Sequence, residues 1–307
     1  MTELRIHYHD ICAKHQVGPE HPESPCRYRV VKEALDITQF SSHISWHEAP
    51  NVENNIITLA HPQSYIDELT AASPTSGFFR LDEDTSMNAH SIESTRLAVG
   101  AAIDAVNHTH QTDIPGFCLT RPPGHHAEQT TAMGFCLFNQ VAITAKYLTQ
   151  ILGYRRVAII DFDVHHGNGT EDIVKDSKEI RLYSTFQHPL YPFCGVPSSS
   201  SNVFNIPLDT GLRSADFRLI FDQEVISSLE KWKPDFLLIS AGFDAHKADP
   251  LAQLNLQTDD YAWLGHQVSR LANRFCPGRI VASMEGGYHL EALADSASAF
   301  VDSMRRQ

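Results

Sequence analysis

The sequence predicts an α/β fold over a single domain, residues 1–307: a parallel sheet with helices between its strands. Three observations carry that expectation. Apolar runs of strand length, Phe117–Thr120, Arg156–Ile160, Phe236–Ser240 and Ile280–Met284, alternate with stretches of helical length. Continuous apolar runs suit strands covered on both faces, as in parallel sheets. Each run then breaks into Gly, His, Asp or Tyr, which gathers polar chemistry at the carboxyl edge of the sheet, where open α/β folds bind ligands. No linker, internal repeat or low-complexity stretch divides the chain.

The elements follow in order. Leu4–Tyr8 reads as a short strand. Pro22 and Pro25 make His21–Pro25 a loop, and a helix runs from there to about Leu35. Residues 61–69 are helical, with Pro62 at an early position. Gly77–Thr85 is a loop carrying Asp82, Glu83 and Asp84. Ser91–Val106 is a helix with a small-residue face of Ala98, Ala101, Ala102 and Ala105. The strand Phe117–Thr120 runs into Pro122, Pro123 and Gly124, a rigid turn, and then His125 and His126. Gly134–Asn139 is an apolar loop leading into a helix from Asn139 to Leu152, with Gly153 suited to its end. Arg181–Thr185 is another strand, and residues 187–202 form a long Pro- and Ser-rich loop of the kind that is usually functional. Ser214–Lys231 is helical, and Thr258 caps a helix that reaches about Phe275.

Composition narrows the function. Hydrophobic content of 42% and charged content of 20% are globular values. A net charge of −13 argues against nucleic-acid binding, which needs a basic footprint, and suits a cationic substrate. The six cysteines include no CxxC pair, so they read as free thiols of a reducing compartment. No signal-peptide core and no apolar run of membrane-spanning length is seen, so the expectation is a cytoplasmic protein with no membrane association. The oligomeric state stays open, a homo-oligomer included.

The richest stretch is Asp161–Gly169, which follows the strand Arg156–Ile160. Asp163 and His165 are two apart, so extended backbone points them to the same side. Alone, such a pair is more often a capping acid beside a surface histidine. Here three further polar clusters accompany it. Asp163, His165 and Asp249 make a set of two carboxylates and one imidazole, and three protein ligands leave a position open, as in catalytic rather than structural zinc sites. Asp161 is then spare, within reach of a histidine. His125 and His126 cannot share a direction on extended backbone and should have different tasks. Tyr288 follows Gly286 and Gly287, which allow close approach to a ligand.

The runs Arg121–Ala127 (RPPGHHA), Asp161–Thr170 (DFDVHHGNGT), Ala241–His246 with Asp249-Pro250-Leu251, and Glu285–Leu290 (EGGYHL) resemble the motifs of the zinc-dependent histone deacetylase family. The variants are similar to its class II and bacterial histone deacetylase-like amidohydrolase branch, which includes acetylpolyamine amidohydrolases. The likeness runs from about His7 to Leu290. It implies the arginase-deacetylase fold, an eight-stranded parallel sheet sandwiched by helices. It implies one zinc ion per chain on Asp163, His165 and Asp249. His126 would be general base and then acid, with His125 beside Asp161 in electrostatic support. Tyr288 would donate to the developing oxyanion. Phe135 and Tyr191, with Gly134, would line a channel for an acyl-lysine stem, and Asp84 would hold the substrate backbone at the rim. The backbone of Asp161, Asp163, His165 and Ser184 resembles a potassium site.

Three positions depart from the family pattern. Tyr191-Pro192-Phe193-Cys194-Gly195 stands where most relatives read Pro-Gly-Thr-Gly, Phe186 stands where a histidine is usual, and Asn168 stands where class I members have Asp. The reading is therefore a zinc-dependent amidohydrolase that removes acetyl or related acyl groups from lysine side chains or other amines. A deacetylase of acetylpolyamines or other small amides is the nearest alternative. An arginase-like bimetallic enzyme would need a second acidic ligand set, of which only one complete set is found. A non-catalytic acyl-lysine-binding protein would tolerate loss of Tyr288 or a ligand, and all are present.

Overall fold

The computed structural model describes residues 3–305. Its main sheet has eight strands: β1 Leu4–Tyr8, β2 Ile44–Glu48, β5 Gly116–Leu119, β6 Val157–Asp161, β7 Ile180–Gln187, β8 Val203–Leu208, β9 Phe236–Ala241 and β10 Ile280–Met284. They lie in the order β2-β1-β5-β10-β9-β6-β7-β8, and every neighbouring pair is parallel. A small antiparallel ribbon, β3 Phe79–Arg80 with β4 Ser86–Met87, interrupts the stretch expected to be loop. The helices are α1 Pro25–Ile37, α2 Asn54–Ile57, α3 Gln63–Ala72, α4 Ser91–Thr112, α5 Gln140–Gln150, α6 Asn168–Val174, α7 Ser214–Ile220, α8 Ser227–Trp232, α9 Thr258–Phe275 and α10 Leu290–Met304.

Strand side chains alternate between two cores, as the period of two requires. On β6, Ala158 and Ile160 join the core under α1, α9 and α10, while Val157 and Ile159 join the core under α4 and α5. On β9, Leu237 and Ile239 face the first core, Phe236 and Leu238 the second. The sheet is thus buried on both faces, which is why its strands read as unbroken apolar runs.

The predicted elements are present, with shifted ends. The helix expected to stop at Val106 continues to Thr112 and closes with Asp113 in the left-handed region (φ 54°). The helix expected over Ser214–Lys231 is continuous but passes through a π-turn at Phe221–Ile226. Gln257 and not Thr258 caps α9, in a reciprocal box with Asp260. Strands β2 and β8 and helices α2, α6 and α10 were not foreseen. Ile44-Ser45-Trp46-His47-Glu48 pairs on one side only, and its side chains are partly exposed, so it lacks the apolar run that marks the interior strands. No helix is long and apolar enough to cross a membrane among the described residues.

Candidate active site

Two strands deliver acids to one point. β6 ends at Asp161 and continues to Asp163 and His165, and β9 ends at Ala241, three residues before Asp244. Donor atoms of Asp163, His165 and Asp244 lie within 4.8 Å of one another, the one such group among the described residues. Nδ1 of His165 is 3.1 Å from Asp163 Oδ1 and 3.2 Å from Asp244 Oδ2. A tetrahedral zinc ion separates its donors by about 3.3 Å, so the spacing already fits a metal.

The cluster differs from the expected ligand set in one member. Asp249 is not in the cluster; its carboxylate accepts the backbone N–H groups of Tyr288 (2.7 Å), His289 (3.3 Å) and Leu251 (3.0 Å). It fixes the backbone that carries Tyr288. Asp244 takes its place because it leaves the end of β9 almost as directly as Asp163 leaves β6, whereas Asp249 lies farther along the loop. That distance from a strand end was the signal available in the sequence.

The carboxylates are held by backbone donors. Gly286 N–H donates to Asp163 Oδ2 (2.8 Å) and Val164 N–H to Asp244 Oδ1 (2.9 Å). A Cβ at Gly286 would collide with both carboxylates, which explains a glycine there. Burial and the neighbouring Asp163 push Asp244 up to about 7. Burial would lower His165, but its bonds to Asp163 and Asp244 raise it to about 10. Two buried carboxylates around one imidazole create a site that favours positive charge, and the donor set fits a metal ion.

The adjacent histidines do have different partners. Nδ1 of His125 is 3.0 Å from Asp161 Oδ2, and Nδ1 of His126 is 2.8 Å from Asn168 Oδ1. Burial would lower His125, yet Asp163 and Asp161 raise it well above the usual histidine value. Burial, His125 and His165 hold His126 well below that value. One imidazole is therefore kept charged and its neighbour kept neutral, able to accept a proton. Burial raises the Tyr288 hydroxyl well above its usual value, so it stays a donor.

A cavity of about 220 Å³ opens above this floor, lined by His126, His165 and Tyr288 below and Gly134, Phe135, Leu190, Tyr191, Leu251 and Asp84 above. Phe135 has φ 68° and follows Gly134 at φ 54°. A Cβ at Gly134 would strike the His126 ring, so the wall can sit this close only with glycine. Phe135 N–H donates to Thr85 Oγ1 (3.0 Å), whose hydroxyl donates to Asp84 Oδ1 (2.8 Å), tying the rim acid to the wall. Tyr191 stands edge-on to the His126 ring at 5.2 Å. Phe186 does not reach the cavity wall; it is buried against His166 at 4.6 Å. Ser184, named for potassium, is the register partner of Asp161, and its hydroxyl bonds His166 Nδ1 (3.1 Å).

Sequence reasoning missed Asp244, Arg27 and Glu285. Arg27 donates to the carbonyls of Gly287 (2.6 Å) and Glu285 and lies over the Tyr288 ring at 4.8 Å. Glu285 accepts from the Gly124 (2.7 Å) and His125 (3.2 Å) backbones. A larger hollow of about 580 Å³ near Lys146, Tyr154 and Glu179 lies at the opposite edge of the sheet, by the starts of β6 and β7. It holds no such constellation.

Comparison with known proteins gives the family. Residues 21–304 match the Histone deacetylase domain. The chain is 40% identical to an uncharacterized protein of Synechocystis, over 92% of this chain and 93% of that one. It is 33% identical to histone deacetylase 14, chloroplastic, of Arabidopsis thaliana, over 99% of this chain and 77% of the relative. It is 29% identical to a histone deacetylase-like amidohydrolase of Pseudomonas aeruginosa, over 92% and 80%. The crystal structure of the HDA15 HD domain superposes with a TM-score of 0.92 at 29% identity, covering 99% of this chain and 88% of that one. With a match across nearly its whole length and a metal-fitting acid cluster under its cavity, the chain belongs to the histone deacetylase family of hydrolases.

Proposed function

We propose that this deacetylase cleaves the amide of an acylated primary amine carried on a linear stem, with zinc on Asp163, His165 and Asp244. The observation that carries the reading is the cavity of about 220 Å³ that Phe135, Leu190, Tyr191 and Leu251 line together with His126, His165 and Tyr288. When bound, the metal supplies a more acidic water and polarises the carbonyl. Neutral His126 takes the proton from the attacking water and passes it to the departing amine. His125 stays charged and stabilises the negative charge that builds up. Tyr288 donates to the oxyanion, a role served by a hydroxyl that stays protonated.

Acyl-lysine in a peptide or protein is the first substrate class. Acetylated polyamines are the second, favoured by Asp84 at the cavity with Asp82 and Glu83 beside it, since three acids suit a cationic amine. Binding without turnover fits less well, because His126 and Tyr288 both reach the cavity. Potassium on the backbone of Asp161, Asp163, His165 and Ser184 is part of the proposal, supported by the register pairing of Asp161 with Ser184. A reducing, cytoplasmic setting is supported by six free cysteines.

A panel of acetyl-lysine peptides, longer acyl-lysines and acetylated polyamines, run beside metal analysis, tests the reading. Turnover of at least one class with one metal in the cluster is expected. A metal-loaded protein that turns over none of them overturns it.

A further inference from the structure

A second group of histidines lies far from the cavity in sequence and in the sheet. His7 on β1 and His47 on the edge strand β2 are direct register partners, so both project from the same face. That face is covered by α4, where Asp104 and His108 are four apart and therefore neighbours on the helix surface. Nδ1 of His7 is 2.9 Å from Asp104 Oδ2, and Nε2 of His47 is 3.2 Å from the same oxygen. The His7 and His108 rings are 6.3 Å apart. His7 is fully buried, and its Nε2 has no hydrogen-bond partner.

This arrangement needs explaining, because a strand face under a helix is ordinarily apolar. Arg5 and Ser45 lie on the same face as His7 and His47, so the whole corner is polar. One carboxylate oxygen serves two imidazoles, and only His47 of the three histidines is largely exposed. The 3.2 Å contact is close to the roughly 3.3 Å between donors in a tetrahedral zinc site, and the 2.9 Å contact would open by about 0.4 Å around an ion. The 3.2 Å contact of His47 equals the longer contact of the catalytic cluster, while the 2.9 Å contact of His7 is shorter than either contact there. The His7 and His47 rings stand edge to face with centroids 5.8 Å apart, so the proposed ion would draw the exposed His47 ring inward.

We propose that His7, His47 and Asp104, with His108 as a fourth donor, form a second divalent-metal site that takes zinc or a similar borderline cation and ties the edge strand β2 to β1 and α4. Burial lowers His7, and burial with Arg5 lowers His108 to about 4, so both are neutral at pH 7 as metal ligands must be. Two neutral imidazoles and a carboxylate, with a third imidazole in reach, are zinc donors. Arg5 is the opposing feature: its buried Nε also lacks a partner, so an oxyanion is the competing occupant.

The test uses the full chain, loaded with zinc and dialysed, with metal per chain measured by elemental analysis. Wild type is expected to hold two ions. His47→Ala and His108→Gln are expected to hold one and to keep wild-type kcat, which also shows that they are folded. Asp244→Asn is expected to lose the catalytic ion and keep the other, so failure at one site is distinguishable from failure at the other. Excess zinc should raise Tm in wild type more than in His47→Ala, because a ligand that binds only the folded chain stabilises it. A wild type that holds one ion, or variants that still hold two, overturns the proposal. So does a Tm that rises with inorganic phosphate and not with zinc, lost in Arg5→Gln, which would assign the corner to an anion.

Discussion

The floor and the rim of the cavity are built on opposite principles. Floor residues leave the ends of interior strands and are over-determined. Asp163 and Asp244 are buried, each held by a backbone N–H, and Asp249 is saturated by three. The rim hangs on a loop, residues 187–202, where Phe193 is 73% exposed and adopts φ 60°. What fixes that loop is a small group of polar contacts: Glu171 accepts from His166 Nε2 (2.7 Å), Ser199 N–H (3.0 Å) and Asn205 Nδ2 (2.6 Å). Asn205 also donates to Gly195 O (2.8 Å). The difference teaches that the acids are held by buried strand ends, while the loop beside the cavity rests on a few polar contacts outside the sheet, which makes it the segment whose exchange is expected to alter substrate choice.

The sharpest way to break the comparison lies in two neighbouring acids of the floor. Asp244→Asn should lose the catalytic metal and bring turnover below detection. Asp249→Asn should keep the metal and lose roughly 10–100-fold in turnover, as expected for an outer partner that orients a catalytic group. Metal content beside kcat for both variants decides it. The reverse order would restore Asp249 as a ligand.

Next in size is Tyr288→Phe. Phenylalanine fills nearly the same volume, so packing and metal content should hold. Removing one donor aimed at the oxyanion should lower kcat by roughly 10²–10³, about 3–4 kcal/mol. KM should change much less, because the ground-state carbonyl carries less charge. Near wild-type kcat would remove Tyr288 from the chemistry.

Asn168→Asp probes the floor through pH. Asn168 is the partner of His126 Nδ1 at 2.8 Å. A carboxylate there favours the charged imidazole and raises the histidine's pKa. The acid limb of kcat/KM, where His126 must be neutral, should move to higher pH. An unmoved limb would mean that His126 is not the base.

The rim variants should be milder. Glu171→Gln removes the charge that anchors the loop and should raise KM by up to about tenfold, about 1.4 kcal/mol, with kcat nearly unchanged. A fall in kcat with unaltered KM would show that the loop acts on the floor. Smallest is the exchange of Phe193-Cys194 for Gly-Thr. Phe193 is exposed in the left-handed region, which glycine adopts freely, so stability should stay within about 0.5 kcal/mol. The ranking of acyl chains should change while metal content does not, and an identical ranking would shift specificity to other rim residues.

The sequence by itself determined the strand-and-helix alternation, because strands buried on both faces have to be apolar along their length. It also determined which edge carries the chemistry, because each of those runs stops at Asp, His, Gly or Tyr. It singled out Asp163, His165, His125, His126 and Tyr288 from their residue types and spacing, and the family resemblance added Phe135, Tyr191 and Asp84; all lie in or beneath one cavity. It did not show the edge strands β2 and β8, whose partly exposed side chains mix polar with apolar. The tertiary structure alone decided between Asp244 and Asp249, five residues apart in one loop. Which of them meets Asp163 depends on how far the chain has travelled from the end of β9 and on which backbone N–H groups turn toward it. The pairing of His7 with His47 and Asp104 was likewise out of reach of the sequence. It joins residues that are forty and ninety-seven positions apart through strand register and helix packing. Local pattern reports what each segment must bury; the meeting of distant side chains is settled only when the layers pack.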